Sequence, residues 1–146
     1  MKKILSLIAV VMVSGLAYGQ AAYTFKFENL ARKSRFASCD SLISVELEKA
    51  KKKENTKAIK YAELYNLGSK AAFSLVHPEL LKGAAGNPFD TTLFISKSEQ
   101  ALDYAALSHD YDMRPAKPGA EPKPKFIAAN KEIVMKMLDQ WYFAGC

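Results

Sequence analysis

From Lys57 to Val76 the chain carries no proline and a single glycine, Gly68, and its apolar residues fall into two rows at helical spacing. One row is Ala58, Ala62, Tyr65, Ala72 and Val76; the other is Tyr61, Leu64, Ala71 and Leu75. A helix that is apolar over more than one stripe does not rest on a surface, because each stripe left in water forfeits its burial. The run therefore demands neighbours on two sides, and the remaining chain has to supply them as further helices. His77-Pro78 is expected to end or kink this central helix, since proline disfavours helical geometry in the residue before it.

The flanking segments read accordingly. In residues 22–37, Tyr23, Phe25 and Phe27 alternate like a strand, while the rest of the segment suits a helix, which is the reading taken. After Ser38 and Asp40, either of which can cap, Leu42, Ile43, Val45, Leu47 and Ala50 recur at three- and four-residue spacing ahead of a basic tail, Lys49 to Lys53. Residues 79–90 hold two glycines and Asn87-Pro88, which predicts a turn or so of helix and then loop. Asp90 or Thr91 caps the next helix, expected to run to about Ser108 and to end in the polar His109-Asp110-Tyr111-Asp112. Four prolines between Pro115 and Lys125 predict an extended, exposed Pro/Lys-rich loop over 115–125. The last segment, from Phe126, puts Ile127, Val134, Leu138 and Trp141 on one row with Ile133, Met137 and Ala144 beside it. The expected fold is all-α, four or five antiparallel helices arranged as hairpins in one domain over 20–146.

The first nineteen residues are of another kind. Lys2-Lys3 precede the apolar run Ile4 to Leu16, and small residues follow at Ala17 and Gly19, the pattern of a secretory signal peptide over 1–19. The run spans 13 residues, short of the roughly 20 that cross a bilayer. Cleavage after Gly19 removes Lys2 and Lys3 and takes the formal charge from +6 to +4. An exported chain with so modest an excess is expected to bind no nucleic acid and to remain outside the membrane once cleaved, in the periplasm or the extracellular medium.

Two helices share a small pattern, Leu64-Tyr65-Asn66-Leu67-Gly68 and Trp141-Tyr142-Phe143-Ala144-Gly145, and Ala101-Leu102 with Ala105 forms a small-residue row. These resemble the first and second helices of the tetratricopeptide repeat, in which the bulky residue fills the hairpin core and the glycine lets a neighbouring helix approach. Gly68 lies 33 residues before Ala101, so the hairpin departs from the standard repeat by an insertion at about residues 77–92. The order of segments further resembles exported tetratricopeptide-repeat proteins of the Bacteroidetes, through Asn87-Pro88-Phe89-Asp90-Thr91 and through Lys125-Phe126-Ile127-Ala128-Ala129-Asn130. The resemblance implies a degenerate TPR-like array, and because this chain stops one residue past Gly145 it reads as the N-terminal part of a longer protein. Its last aromatic residues are then expected at an unfinished, exposed edge that self-associates or docks a partner.

The chemistry-bearing residues are sparse. Cys39 and Cys146 form an even pair that export permits to be a disulfide; the other reading is a small buried residue and a frayed terminal thiol. His77 and His109 match no metal-ligand spacing and read as helix-end residues, and Asp110-Tyr111-Asp112 lacks the glycine and closing glutamate of a calcium loop. No cofactor is expected. Lys49, Lys51, Lys52, Lys53, Lys57 and Lys60 read as a solvated face or as a holder of an acidic partner. Together these lead to a non-enzymatic protein-binding scaffold, not an enzyme, with Trp141, Tyr142, Phe143, Lys51, Lys52 and Lys53 as its interaction surface. The alternative is a small helical ligand-binding or enzymatic domain with a pocket around Tyr61, Tyr65, Phe94 and Tyr104.

Overall fold

The computed structural model describes residues 21–143, with side chains described through Gln140. The expected signal peptide lies outside the described residues. All regular structure among the described residues is helical: α1 (Ala22–Arg32), α2 (Phe36–Lys52), α3 (Ala58–Ala84), α4 (Thr91–Asp112) and α5 (Ile127–Phe143). The fold class is all-α. The chain divides into two compact units, one ending at Arg35 and one beginning at Phe36.

In α1 the alternation of Tyr23, Phe25 and Phe27 resolves by helical geometry. Tyr23 and Phe27, four residues apart, are buried with Thr24, and Phe25 is turned outward. The helix stops because Ser34 adopts a left-handed conformation at φ 55°, with its N–H on the carbonyl of Ala31 at 2.9 Å and that of Arg35 on Leu30 at 3.0 Å.

The second unit holds α2 to α5. Helix α2 starts at Phe36, ahead of the Ser38 or Asp40 cap expected, because the reversal at Ser34 already frees the chain to begin again. Cys39, Ile43, Leu47 and Ala50 form its buried stripe, and Val45, expected in the apolar row, is 52% exposed. At its end the Thr56 hydroxyl donates to the carbonyls of Ala50 at 2.8 Å and Lys53 at 3.1 Å. Asn55, at φ 63°, reverses the chain there.

Of the end or kink expected at His77-Pro78, the end does not occur: helix α3 continues through Pro78 to Ala84. His77 and Pro78 lie on its exposed side, where one missing N–H bond costs least, while Val76 and Glu79 hold the buried side. The stop is Gly86, left-handed at φ 76°, which sends its own N–H to Gly83 and that of Asn87 to Lys82 at 3.0 and 2.9 Å. Asp90 caps α4 by accepting the N–H of Leu93 at 2.9 Å. This helix passes the expected end at Ser108 and takes in His109 to Asp112, because Ser108 and Asp112 are both buried and bonded there. Residues 115–125 are exposed and non-helical, as read from their prolines.

Side-chain pairs fix the directions. Against α4, Tyr61 meets Tyr111, Tyr65 meets Tyr104 and Ser69 meets Ala101, so one number rises as the other falls and the pair is antiparallel. Against α5, Asn66 meets Asn130 and His77 meets Gln140, so α3 and α5 run parallel. The core between these three helices is Ala72, Ala101, Ile133 and Met137, with Phe73 and Leu102 packed on it. On the side facing α2, Gly68 is a notch: a Cβ there would stand 2.6 Å from Tyr104 Cδ2 and 3.1 Å from Ile43 Cγ2. The absence of a side chain lets α2, α3 and α4 meet at one point.

Candidate functional site

Helix α5 is amphipathic in two directions. Asn130, Ile133 and Met137 are buried against α3 and α4. A second stripe, Ile127, Lys131, Met135 and Leu138, runs at spacings of four, four and three and is exposed, with Met135 at 49% and Leu138 at 50%. Asp139 follows Leu138 at the border of this stripe, and Glu132 is paired with Lys136 at 2.6 Å on the neighbouring one. Helix packing on the inner face thus leaves three apolar residues in water, with the cation Lys131 between Ile127 and Met135 and the anion Asp139 beside Leu138.

The register of α5 is set by a polar chain. The Asn66 amide donates to Oδ1 of Asn130 at 2.8 Å, Asn130 donates to the Ser108 hydroxyl at 2.9 Å, and Ser108 donates to the carbonyl of Ala62 at 2.7 Å. All three side chains are buried. A helix shifted by one residue would leave these groups without partners, so the chain selects the position at which α5 presents its outer stripe.

Of the interaction surface read from the sequence, Trp141, Tyr142 and Phe143 belong to the last turn of α5, and their side chains lie outside the described residues. Lys51, Lys52 and Lys53 are exposed at the far end of α2, where Lys51 stands 3.6 Å from Glu48. The two groups sit on different helices. Cys39 is fully buried, and burial, with the Asp40 charge added, pushes its thiol up from the ordinary range. Cys146 lies outside the described residues, and with it the possible disulfide.

The tyrosines named for an inter-helix pocket instead pack on one another. Tyr61 and Tyr111 stack at 4.8 Å, Tyr65 and Tyr111 at 5.8 Å, and Tyr104 meets Tyr65 edge-on at 5.0 Å. Burial raises the Tyr65 hydroxyl above its ordinary pKa; the Lys51 charge opposes this, and the neighbouring tyrosines add to it. Phe94 belongs elsewhere, edge-on to Phe89 at 5.9 Å. His77 stacks on Phe73 with its Nδ1 3.0 Å from Gln140 Nε2, and His109 is exposed on α4. Among the described residues no three His, Cys, Asp or Glu side chains gather as a metal site. No helix among them is long and apolar enough to cross a membrane.

Three carboxylates have roles that the sequence reading did not assign. Asp40 holds Lys97 and Gln100 of α4 at 2.7 Å each. Glu79 accepts from Lys82 and from the Asp90 N–H, each at 2.8 Å, which ties the end of α3 to the start of α4. Asp112 accepts the N–H groups of Lys125 and Phe126 at 2.7–3.0 Å, closing the base of the proline-rich loop. Apart from the local Glu79–Lys82 pair, these pairings span 11 to 60 residues and leave no local pattern; a lone acid on a buried helix face, as at Asp112, is the one available signal.

Comparison with known proteins returned no matching family model, no matching curated protein and no matching solved structure.

Proposed function

We propose that this protein is a non-enzymatic helical scaffold, exported as its sequence suggests, that binds protein through the outer stripe of α5. The observation that carries the reading is the exposure of Ile127, Met135 and Leu138 on a helix whose other face is pinned by Asn130, Ile133 and Met137. A solvent-facing strip so placed is the surface on which a further helix packs in hairpin arrays.

The occupant is a second copy of the same helix. Two α5 helices crossing antiparallel with their two-fold axis at Met135 bring Lys131 of each copy level with Asp139 of the other, while Leu138 of each flanks the axis. Such an interface is self-complementary, since residue i meets j and j meets i. The charges then favour this alignment over the parallel one, in which like charges face each other.

Sedimentation velocity over a concentration series tests the reading. The protein should move from monomer to dimer as concentration rises, and Met135→Glu with Leu138→Glu should hold it monomeric with its helical content unchanged. A wild-type chain that stays monomeric throughout, or a variant that dimerises equally well, rejects the proposal.

A further inference from the structure

Between the first turn of α3 and the connection from α4 to α5 lies a cavity of about 570 Å3, within the range that holds a small organic ligand. Its rim carries five cations, Lys57, Arg114, Lys117, Lys123 and Lys125, and two acids, Asp112 and Glu121. The Asp112 carboxylate is already taken up by the backbone N–H groups of Lys125 and Phe126. Among the described residues no carboxylate comes within 4.0 Å of any of the five cationic groups. Five positive charges around one hollow repel one another, and an anion in the hollow relieves that repulsion while gaining charge-assisted hydrogen bonds.

The rest of the lining gives the shape of the ligand. Ile59, Pro115, Ala116 and Ala120 make apolar walls. The Arg114 guanidinium lies 4.2 Å from the centroid of the Tyr111 ring, which is itself stacked on Tyr61, so the ring holds a forked donor at the cavity wall. Ala58 and Ile59 open α3, whose cap residue Lys57 makes no side-chain bond to the first turn and whose first turn holds no acid. Their N–H groups have no partner within the helix, and both residues line the same hollow. The prolines of the loop and the Asp112 clamp hold the cationic side of the cavity in place against α3, so little ordering is left for the ligand to bring about.

We infer that this cavity binds a small organic oxyanion ester, with a phosphate or sulfate group among the cations and an apolar body against Ile59, Pro115 and Tyr111. The site is independent of the α5 stripe and stands or falls separately from the dimer.

Titration of the full chain with phenyl phosphate, phenyl sulfate and benzyl alcohol, followed through the backbone amide resonances of Ala58, Ile59 and Arg114, tests it. At least one of the two esters should bind saturably and about tenfold or more tighter than benzyl alcohol, with affinity falling as salt is raised. Whichever ester binds more tightly identifies the headgroup. Arg114→Gln and Lys57→Gln, both at exposed positions, should each weaken that ester by about tenfold while leaving the far-UV circular dichroism unchanged. Equal binding of the alcohol and the esters, shifts that do not saturate, or affinity unchanged in both variants overturns the proposal.

Discussion

The side-chain amide of Asn66 donates to Oδ1 of Asn130 at 2.8 Å across 64 residues of sequence, joining the N-terminal third of α3 to the first turn of α5. Because Asn130 also donates to Ser108, whose hydroxyl reaches Ala62, one residue binds three helices. Asn130→Ala leaves the Asn66 donor and the Ser108 hydroxyl without their partner in a dry interior, which should cost about 1–3 kcal/mol by urea denaturation. Lys131→Ala, one residue on and exposed, should change stability by less than about 0.5 kcal/mol. Equal effects from the two would remove the network from the account.

Gly68 supplies a second close constraint. Alanine is favoured over glycine inside a helix by about 0.5–1 kcal/mol, but the added methyl would stand 2.6 Å from a Tyr104 ring carbon that is itself held against Tyr65. Overpacking of about 1–3 kcal/mol outweighs the gain, so Gly68→Ala should destabilise. In a Tyr104→Ala background the same substitution should become neutral or stabilising, and a double-mutant cycle without coupling would contradict the geometry.

The α3 to α4 turn should respond to acid. The hydrogen bond from Lys82, together with the Asp90 N–H, holds the Glu79 carboxyl below its ordinary value of 4.5. A depressed folded-state pKa means that the charged form is favoured by folding, so its contribution is full above 4.5 and is lost as pH falls through the folded value. Glu79→Gln should therefore lower the Tm at neutral pH, with the gap to wild type closing below pH 4.5. A gap independent of pH across that window would assign the effect to packing alone.

The clamp at Asp112 is open to a protease assay. Within 113–126 the peptide bonds after Arg114, Lys117 and Lys123 each precede proline and resist trypsin, which leaves Lys125–Phe126 as the cleavable one. The Phe126 N–H of that bond is held by Asp112 at 2.7 Å. Asp112→Ala should speed cleavage there by about tenfold or more, as the loop base opens more often. Unchanged cleavage would mean that the loop is held by other contacts.

Much of this fold is legible in the chain because apolar periodicity reports the inward faces directly. The two stripes of α3 do carry neighbours on both sides, and Asp90 does cap α4. The helix ends were harder to read. Pro78 looks like a stop by local rules, yet tertiary packing at Val76 and Glu79 carries α3 past it to Gly86, whose left-handed turn is the real terminator. Likewise His109 to Asp112 read as a polar tail, although they continue α4 and the Asp112 carboxylate is the bonding partner of the loop. Phe94 and Tyr104 both lie on α4 but ten residues apart, so Tyr104 packs against Tyr65 of α3 while Phe94 meets Phe89 near the start of the helix, and the group named for a pocket is divided. The cationic cavity was hidden for the opposite reason. Lys117, Lys123 and Lys125 are scattered through a loop whose base is tied to α4 by the buried Asp112, and Lys57 precedes α3 far from them in sequence.

Charge reversal tests the proposed antiparallel pairing of two α5 helices about Met135 directly. Light scattering should show that Lys131→Asp and Asp139→Lys each weaken the dimer, because every reversal faces a like charge across the two-fold axis. The double variant should restore it, having exchanged the signs without removing the pair. A protein monomeric at all concentrations, or a double variant no better than the singles, would contradict the account.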